Sequence, residues 1–325
     1  MKSINRVRRS LSLVLAGATL GFSSLACAQA DMTRIVVAFP PGGPVDFVAR
    51  VLSDQLSKEL GHNVIVENKA GANGIIAAQH VSRAAPDART LWLTSVGAVA
   101  INPALYPTLP YDPTKDLTPV SLVVNNVEML VVNAEAPYNT GAEFVEFARK
   151  GSEQPTMASS GTGSVPHLAM ELLNDSANIR LRHIPYKGAA PAITDVIAGH
   201  VNGFFGDIPG LIGHINAGKL KPIGVASTKR HPRFPEVKTF AEMGFEGVDS
   251  DNWYALFAAK GTPSAEAERV SQAVRRALAN PDIKEKLEAS GAEAAGSTPE
   301  ELSEVLARDM DKWAKVIRAN NISVE

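Results

Sequence analysis

Two α/β units, each on its own parallel sheet and joined by two chain crossings, are the fold this sequence predicts. Three observations predict it. Short β-branched or aliphatic runs alternate with longer helical patterns; that rhythm stops and restarts near mid-chain; and two apolar stretches, at the stop and near residue 250, read as strands running from one unit into the other. With 325 residues, 45% hydrophobic, 20% charged and 6% aromatic, the composition is ordinarily globular and the length suits roughly two domains.

Taken in order, strand 34–39 leads into helix 45–60, strand 63–67 into helix 75–84, and 90–95 is a third strand. The stretch 122–132, interrupted only by Asn125, Asn126 and Glu128, reads as one strand or two crossing a boundary. The second unit alternates strand 156–160, helix 164–174, strand 182–186, helix 189–199, strand 201–205, helix 209–217 and strand 220–227. A second crossing at 248–257 carries Trp253, Tyr254, Leu256 and Phe257. Helices 264–280, 282–290 and 299–319, each opened by Pro, Ser, Asp or Thr, are expected to pack back on the first unit. One lobe is thus expected over 31–131 and 252–325, the other over 132–251. Two paired crossings let lobes close over a ligand.

Residues 1–30 read as a secretory signal peptide. A basic start ending at Arg9 precedes an apolar run over 11–20 and small residues to Ala30. The run is too short for a membrane span. Ala28-Gln29-Ala30 fits small-x-small cleavage and gives a mature start at Asp31; Ala26-Cys27-Ala28 fits as well. A lipid-anchored Cys27 is disfavoured by Ser24, and Arg8-Arg9 is only a partial twin-arginine match. Cys27 is the sole cysteine, so the mature chain is expected to lack disulfides, thiolate metal sites and Cys nucleophiles. The first 30 residues hold four basic residues and no acid, leaving 28 basic against 34 acidic in a body with no basic block. Nucleic acid is excluded as a partner.

In parallel sheets, ligands bind beyond the strand carboxyl ends, where helix N-termini converge. Two strand-to-helix loops fit. The first, Phe39-Pro40-Pro41-Gly42-Gly43-Pro44-Val45-Asp46, offers close backbone approach at its glycines and a helix end behind them; Asp46 reads alternatively as a helix cap or first-turn acid. The second, Ser159-Ser160-Gly161-Thr162-Gly163-Ser164-Val165-Pro166-His167, is a neutral, donor-rich nest, or alternatively a hydroxyl-capped helix start. Asp207, after the strand 201–205, borders the same site and disfavours a second ligand carboxylate, or else caps the helix at Pro209. The string from Gly213 to Lys219 lacks the final Ser/Thr of a phosphate loop, there is no G-x-S-x-G, and the histidines form no metal-binding pattern. Ser164 with His167 leaves one alternative: an exported Ser/His-dependent hydrolase or transferase.

Phe39-Pro40-Pro41-Gly42-Gly43, Val66-Glu67-Asn68, Ile101-Asn102-Pro103-Ala104-Leu105-Tyr106, Leu109-Pro110-Tyr111-Asp112-Pro113, residues 164–168 and Pro185-Tyr186-Lys187-Gly188 together resemble the Bug family. These are extracytoplasmic solute receptors related to the binding component of tripartite tricarboxylate transporters, and the likeness spans 34–325. The resemblance implies a Venus-flytrap fold of periplasmic type II and a ligand carboxylate held between the two loops by backbone N–H groups, hydroxyls and water. It carries over Gly42, Gly43 and Asp46 in the first loop and Ser159, Gly161, Gly163, Ser164 and His167 in the second. Phe39, Pro41, Val45, Ser95, Ala98, Thr162 and Asp207 complete the expected ligand-binding set. Val45, Val99 and Gly206-Asp207 depart from the family's usual residues. The expectation is a monomeric periplasmic solute-binding protein serving a membrane permease or a sensor, with no catalytic residue, metal or cofactor.

Overall fold

The computed structural model describes residues 32–324, so the export segment and Cys27 lie outside the described residues. In the first sheet, β1 (Met32–Val37), β2 (Asn63–Asn68) and β3 (Thr90–Ser95) run parallel, linked by α1 (Pro44–Leu60) and α2 (Ile75–Ser82). With β4 (Leu117–Asn126), β10 (Asn252–Ala259) and β11 (Glu293–Ala294), the order is β11-β4-β10-β3-β1-β2. The second sheet, β7-β6-β8-β5-β9, comprises β5 (Glu128–Asn133), β6 (Thr156–Ser159), β7 (Arg182–Pro185), β8 (Gly203–Asp207) and β9 (Leu220–Ala226). Its helices are α4 (Gly141–Lys150), α5 (Val165–Ala177), α6 (Ala189–Ile197) and α7 (Ile208–Asn216).

Both sheets are mixed rather than purely parallel. β10 runs antiparallel to β3 and β4, and β5 antiparallel to β8 and β9. The reason lies in the crossings. β4 leaves the first sheet at the end where β1 and β3 finish, so the strand that enters the next sheet there, β5, starts where its neighbours stop. β10 repeats this on the return. The first crossing occurs at Val127, because Glu128 already pairs with Asp207 and Leu130 with Phe205. Residues 128–131, expected in the first lobe, therefore belong to the second sheet.

Local sequence explains the packing. Helix α1 buries Val45, Val48, Ala49, Leu52 and Leu56, an i, i+3, i+4, i+7 stripe, against Ile35, Val37 and Leu93. The tail helices α8 (Ser264–Ala279), α9 (Pro281–Ser290) and α10 (Pro299–Ala319) cover the first sheet, with Val270, Val274 and Leu287 packed near Val123 and Val124. Thr298 and Glu301 form a reciprocal capping box at the start of α10, and the buried Trp253 indole donates to Asp309 at 2.6 Å. A π-helical turn over Gly97–Ile101 and the short α3 (Asn102–Leu105) follow β3; sequence periodicity gave no sign of either.

Candidate ligand-binding site

A cavity of about 400 Å³ lies between the sheets, beyond the carboxyl ends of β1, β3, β6, β7 and β8 and at the start of β10. A wider hollow around Arg34, Glu67 and His80 lies on the first lobe, away from both loops.

In the first loop, Phe39, Gly43 and Val45 line the cavity. Gly43 is the residue before α1 and no side chain caps that helix. The first amide with an intrahelical acceptor is Phe47, bonded to Gly43 O at 2.9 Å; Pro44 has no N–H, which leaves the Val45 and Asp46 amides without one. Gly42, at φ +82°, makes the left-handed turn and stands exposed beside Pro41, outside the cavity lining. Asp46 is also outside the lining. It is 2% exposed, and its carboxylate accepts from the Gly42 amide at 2.9 Å, Arg50 Nε at 2.8 Å and Asn68 Nδ2 at 2.8 Å. Asn68 also donates to Phe39 O at 3.1 Å. Asp46 thus clamps the loop. Burial raises its carboxyl, but the Arg50, Gly42 and Asn68 hydrogen bonds outweigh burial and bring it down to about 2.

The second loop is held by hydroxyl and imidazole groups. Ser159, fully buried, places Oγ 2.6 Å from His183 Nε2 and 3.0 Å from Gly161 O, and accepts from the Gly161 amide at 3.1 Å. The Gly163 amide donates to His167 Nδ1 at 3.0 Å, and the two imidazoles stack with centroids 3.7 Å apart. Burial, then the neighbouring His167, lowers His183 to about 4. Gly163, at φ +73°, sits so close to α3 that an added Cβ would lie 2.1 Å from Leu105 Cδ2, which makes it a contact between lobes. Ser164 and Ser160 line the cavity, while Thr162 stands exposed at the turn. Helix α5 likewise has no side-chain cap; Leu168 is its first intrahelically bonded amide and Pro166 has no N–H, so the Val165 and His167 amides lack an acceptor.

Ser164 and His167 do not form a nucleophile–base pair. The Ser164 hydroxyl donates to Gly161 O at 2.7 Å, while His167 uses Nδ1 on Gly163 and sets Nε2 3.6 Å from Glu171.

Several lining residues escaped the sequence reading: Asn73, Gly97, Gly188, Asn252 and Tyr254. Gly188 precedes a third uncapped helix, α6, and belongs to a motif already noted. Asn73 adopts φ 48° and is fixed by the buried Asn102, whose Nδ2 donates to Asn73 O at 3.0 Å. Ser95 lines the cavity; Ala98 is buried behind it, its carbonyl accepting from the Tyr111 hydroxyl. Asp207 lines the cavity and makes no capping bond to α7. It is the one charged residue in this lining.

Residues 48–322 match the model of the tripartite tricarboxylate transporter family receptor. The chain belongs to this family. Among related proteins, Protein BugT of Bordetella pertussis is 32% identical over 286 residues, covering 88% of each chain. MatC from Rhodopseudomonas palustris, solved with bound malate, is similar at a TM-score of 0.78 and 32% identity, over 88% of this receptor and 99% of its own chain. R. palustris Rpa4515, solved with adipate, gives 0.82 and 29% identity over 90% and 98%. The fold is the two-lobe fold of periplasmic binding proteins.

Proposed function

We propose that this receptor captures a small carboxylate in the cavity between its lobes, in the periplasm and without catalysis, and presents it to a membrane permease or a sensor. One observation carries the reading: the uncapped N-termini of α1 and α5, on different sheets, front the same cavity. Free amides and the helix dipole favour an anion at such ends. The malate and adipate bound by MatC and Rpa4515 support the same class.

Micromolar affinity needs about 8 kcal/mol. Two helix ends supply roughly 1 kcal/mol each, and four or five charge-assisted hydrogen bonds at about 1.5–3 kcal/mol cover the remainder less the costs of ordering. Because the donors come from both lobes, binding and closure are coupled. The lobes divide at Val127 and Asp251, the signal peptide is removed after Ala30, and the mature protein acts as a monomer. The separate commitments of Ser164 and His167 speak against the hydrolase alternative.

Native mass spectrometry of gently purified mature protein is expected to show a bound carboxylic acid, released unchanged on unfolding. Gly43→Val has room for its Cβ, 3.5 Å from Pro40 O, yet places a branched side chain at the helix end. Calorimetry with the released acid should show at least a tenfold loss of affinity in the folded variant. Wild-type affinity in that variant, or recovery of a chemically altered acid, overturns the reading.

A further inference from the structure

Asp207 ends β8 in the second sheet, but its partners lie on β10 of the first. Asn252 Nδ2 donates to Oδ1 at 3.0 Å and Oδ2 at 3.1 Å, and the Tyr254 hydroxyl donates to Oδ2 at 2.9 Å. Directly across the ladder stands Glu128, 1% exposed, with no protein donor to either carboxyl oxygen. Asn252, 9% exposed and in the cavity lining, likewise leaves Oδ1 without a donor.

A buried acid beside another acid is accommodated by a proton between them. Burial and the adjacent Asp207 push the Glu128 carboxyl well above its usual range. Burial raises Asp207 as well, but less, because its Tyr254, Glu128 and Asn252 hydrogen bonds pull the other way and favour its ionised form over that of Glu128. The proton therefore resides on Glu128 and is donated to Asp207. The pair keeps one negative charge, and no Lys or Arg lines the cavity to balance it. A partly desolvated, unbalanced carboxylate is costly, and surplus acceptors call for a donor. The Tyr254 oxygen, its proton given away, retains acceptor capacity.

Given the carboxylate-receptor reading, we propose that the wall formed by Asp207, Asn252 and Tyr254 recognises a ligand ammonium, so that the receptor takes an amino-carboxylate: carboxylate at the bare helix ends, cation against Asp207. Glu128 acts as a positioning residue that fixes Asp207 as the anionic acceptor. A second carboxylate about 4 Å from Asp207 would be disfavoured by roughly a hundredfold or more.

The test is calorimetry on the mature protein with ω-aminocarboxylates from 3-aminopropanoate to 6-aminohexanoate, each against the monocarboxylate and dicarboxylate of matched length. The best aminocarboxylate should exceed its monocarboxylate at least tenfold, with the dicarboxylate weakest. The isosteric Asp207→Asn should erase that preference. Glu128→Gln, whose amide still donates to Asp207, should keep it. Thermal melting monitors folding of both variants. If monocarboxylates or dicarboxylates bind best in the wild type and lose affinity in Gly43→Val, or if Asp207→Asn preserves the ranking, the ammonium site falls while the receptor reading stands. If no carboxylate of any class binds, both fall.

Discussion

The two loops that front the cavity present the same surface, an uncapped helix N-terminus behind glycines, yet they are secured by opposite chemistry. The loop before α1 hangs on an ionised carboxylate, Asp46, that gathers the Gly42 amide, Arg50 and Asn68. The loop before α5 hangs on stacked imidazoles and a hydroxyl, His167, His183 and Ser159. A helix end left open for an anion must still have its loop fixed from behind, and charge is one way to do that. The second loop does it without a fixed charge of its own, so its support is sensitive to protons over a range in which the first is indifferent.

Acid separates the two most sharply. His183 sits at about 4 when folded against an ordinary 6.5, so the unfolded chain binds more protons between those values. Stability from the second loop should therefore fall as pH drops from 6.5 to 4 and level off below, by at most about 3 kcal/mol. Asp46 has the opposite sign: depressed to about 2 from 3.8, its contribution is full above the unfolded value and is lost as pH falls through about 2. Melting curves of wild type and His183→Gln from pH 7 to 4 should converge as pH falls; parallel curves would show that the imidazole does not titrate with folding.

Next in size is Asp46→Ala, expected to cost roughly 2 kcal/mol by removing the acceptor of the Gly42 amide, of Arg50 and of one of the two Asn68 bonds. Urea unfolding at pH 7 measures it. Asp46→Asn should recover part of the loss, and equal melting of all three proteins would remove the clamp from the comparison. The smallest effect belongs to Ser164→Ala. Its hydroxyl proton is already given to Gly161 O, so the substitution loosens a turn rather than deleting a donor to the ligand. About 1 kcal/mol, or fivefold in affinity by calorimetry, is the expected loss. A hundredfold loss would mean that the hydroxyl turns to the ligand on binding.

Local pattern made much of this legible. Strand-to-helix alternation, helix starts within one residue of those at Pro44 and Val165 and at Pro299 itself, and both cavity loops follow from short-range rules of periodicity and capping. Asp46 is instructive: a loop ligand or a first-turn acid was legible, but the Asn68 bonds to Asp46 and to Phe39 O that make it a clamp span 22 and 29 positions. Glu128 read as a mere interruption of an apolar run. Its pairing with Asp207 exists only once β5 and β8 lie side by side, and Asn252 and Tyr254 reach Asp207 only because β10 returns between β3 and β4. Strand direction at the crossings was invisible for the same reason: periodicity carries no sign.

The place of β10 also bears on how the polypeptide assembles as it leaves the ribosome or a translocation channel. All five strands of the second sheet lie between residues 128 and 226, whereas the first sheet has β3 and β4 on either side of a gap that only residues 252–259 can fill. The lobe that starts first in the chain is thus the last able to finish. Until β10 arrives, the facing edges of β3 and β4 lack the backbone partner they have in the native sheet, and the early segment is exposed to wrong pairings of the kind that strand edges invite.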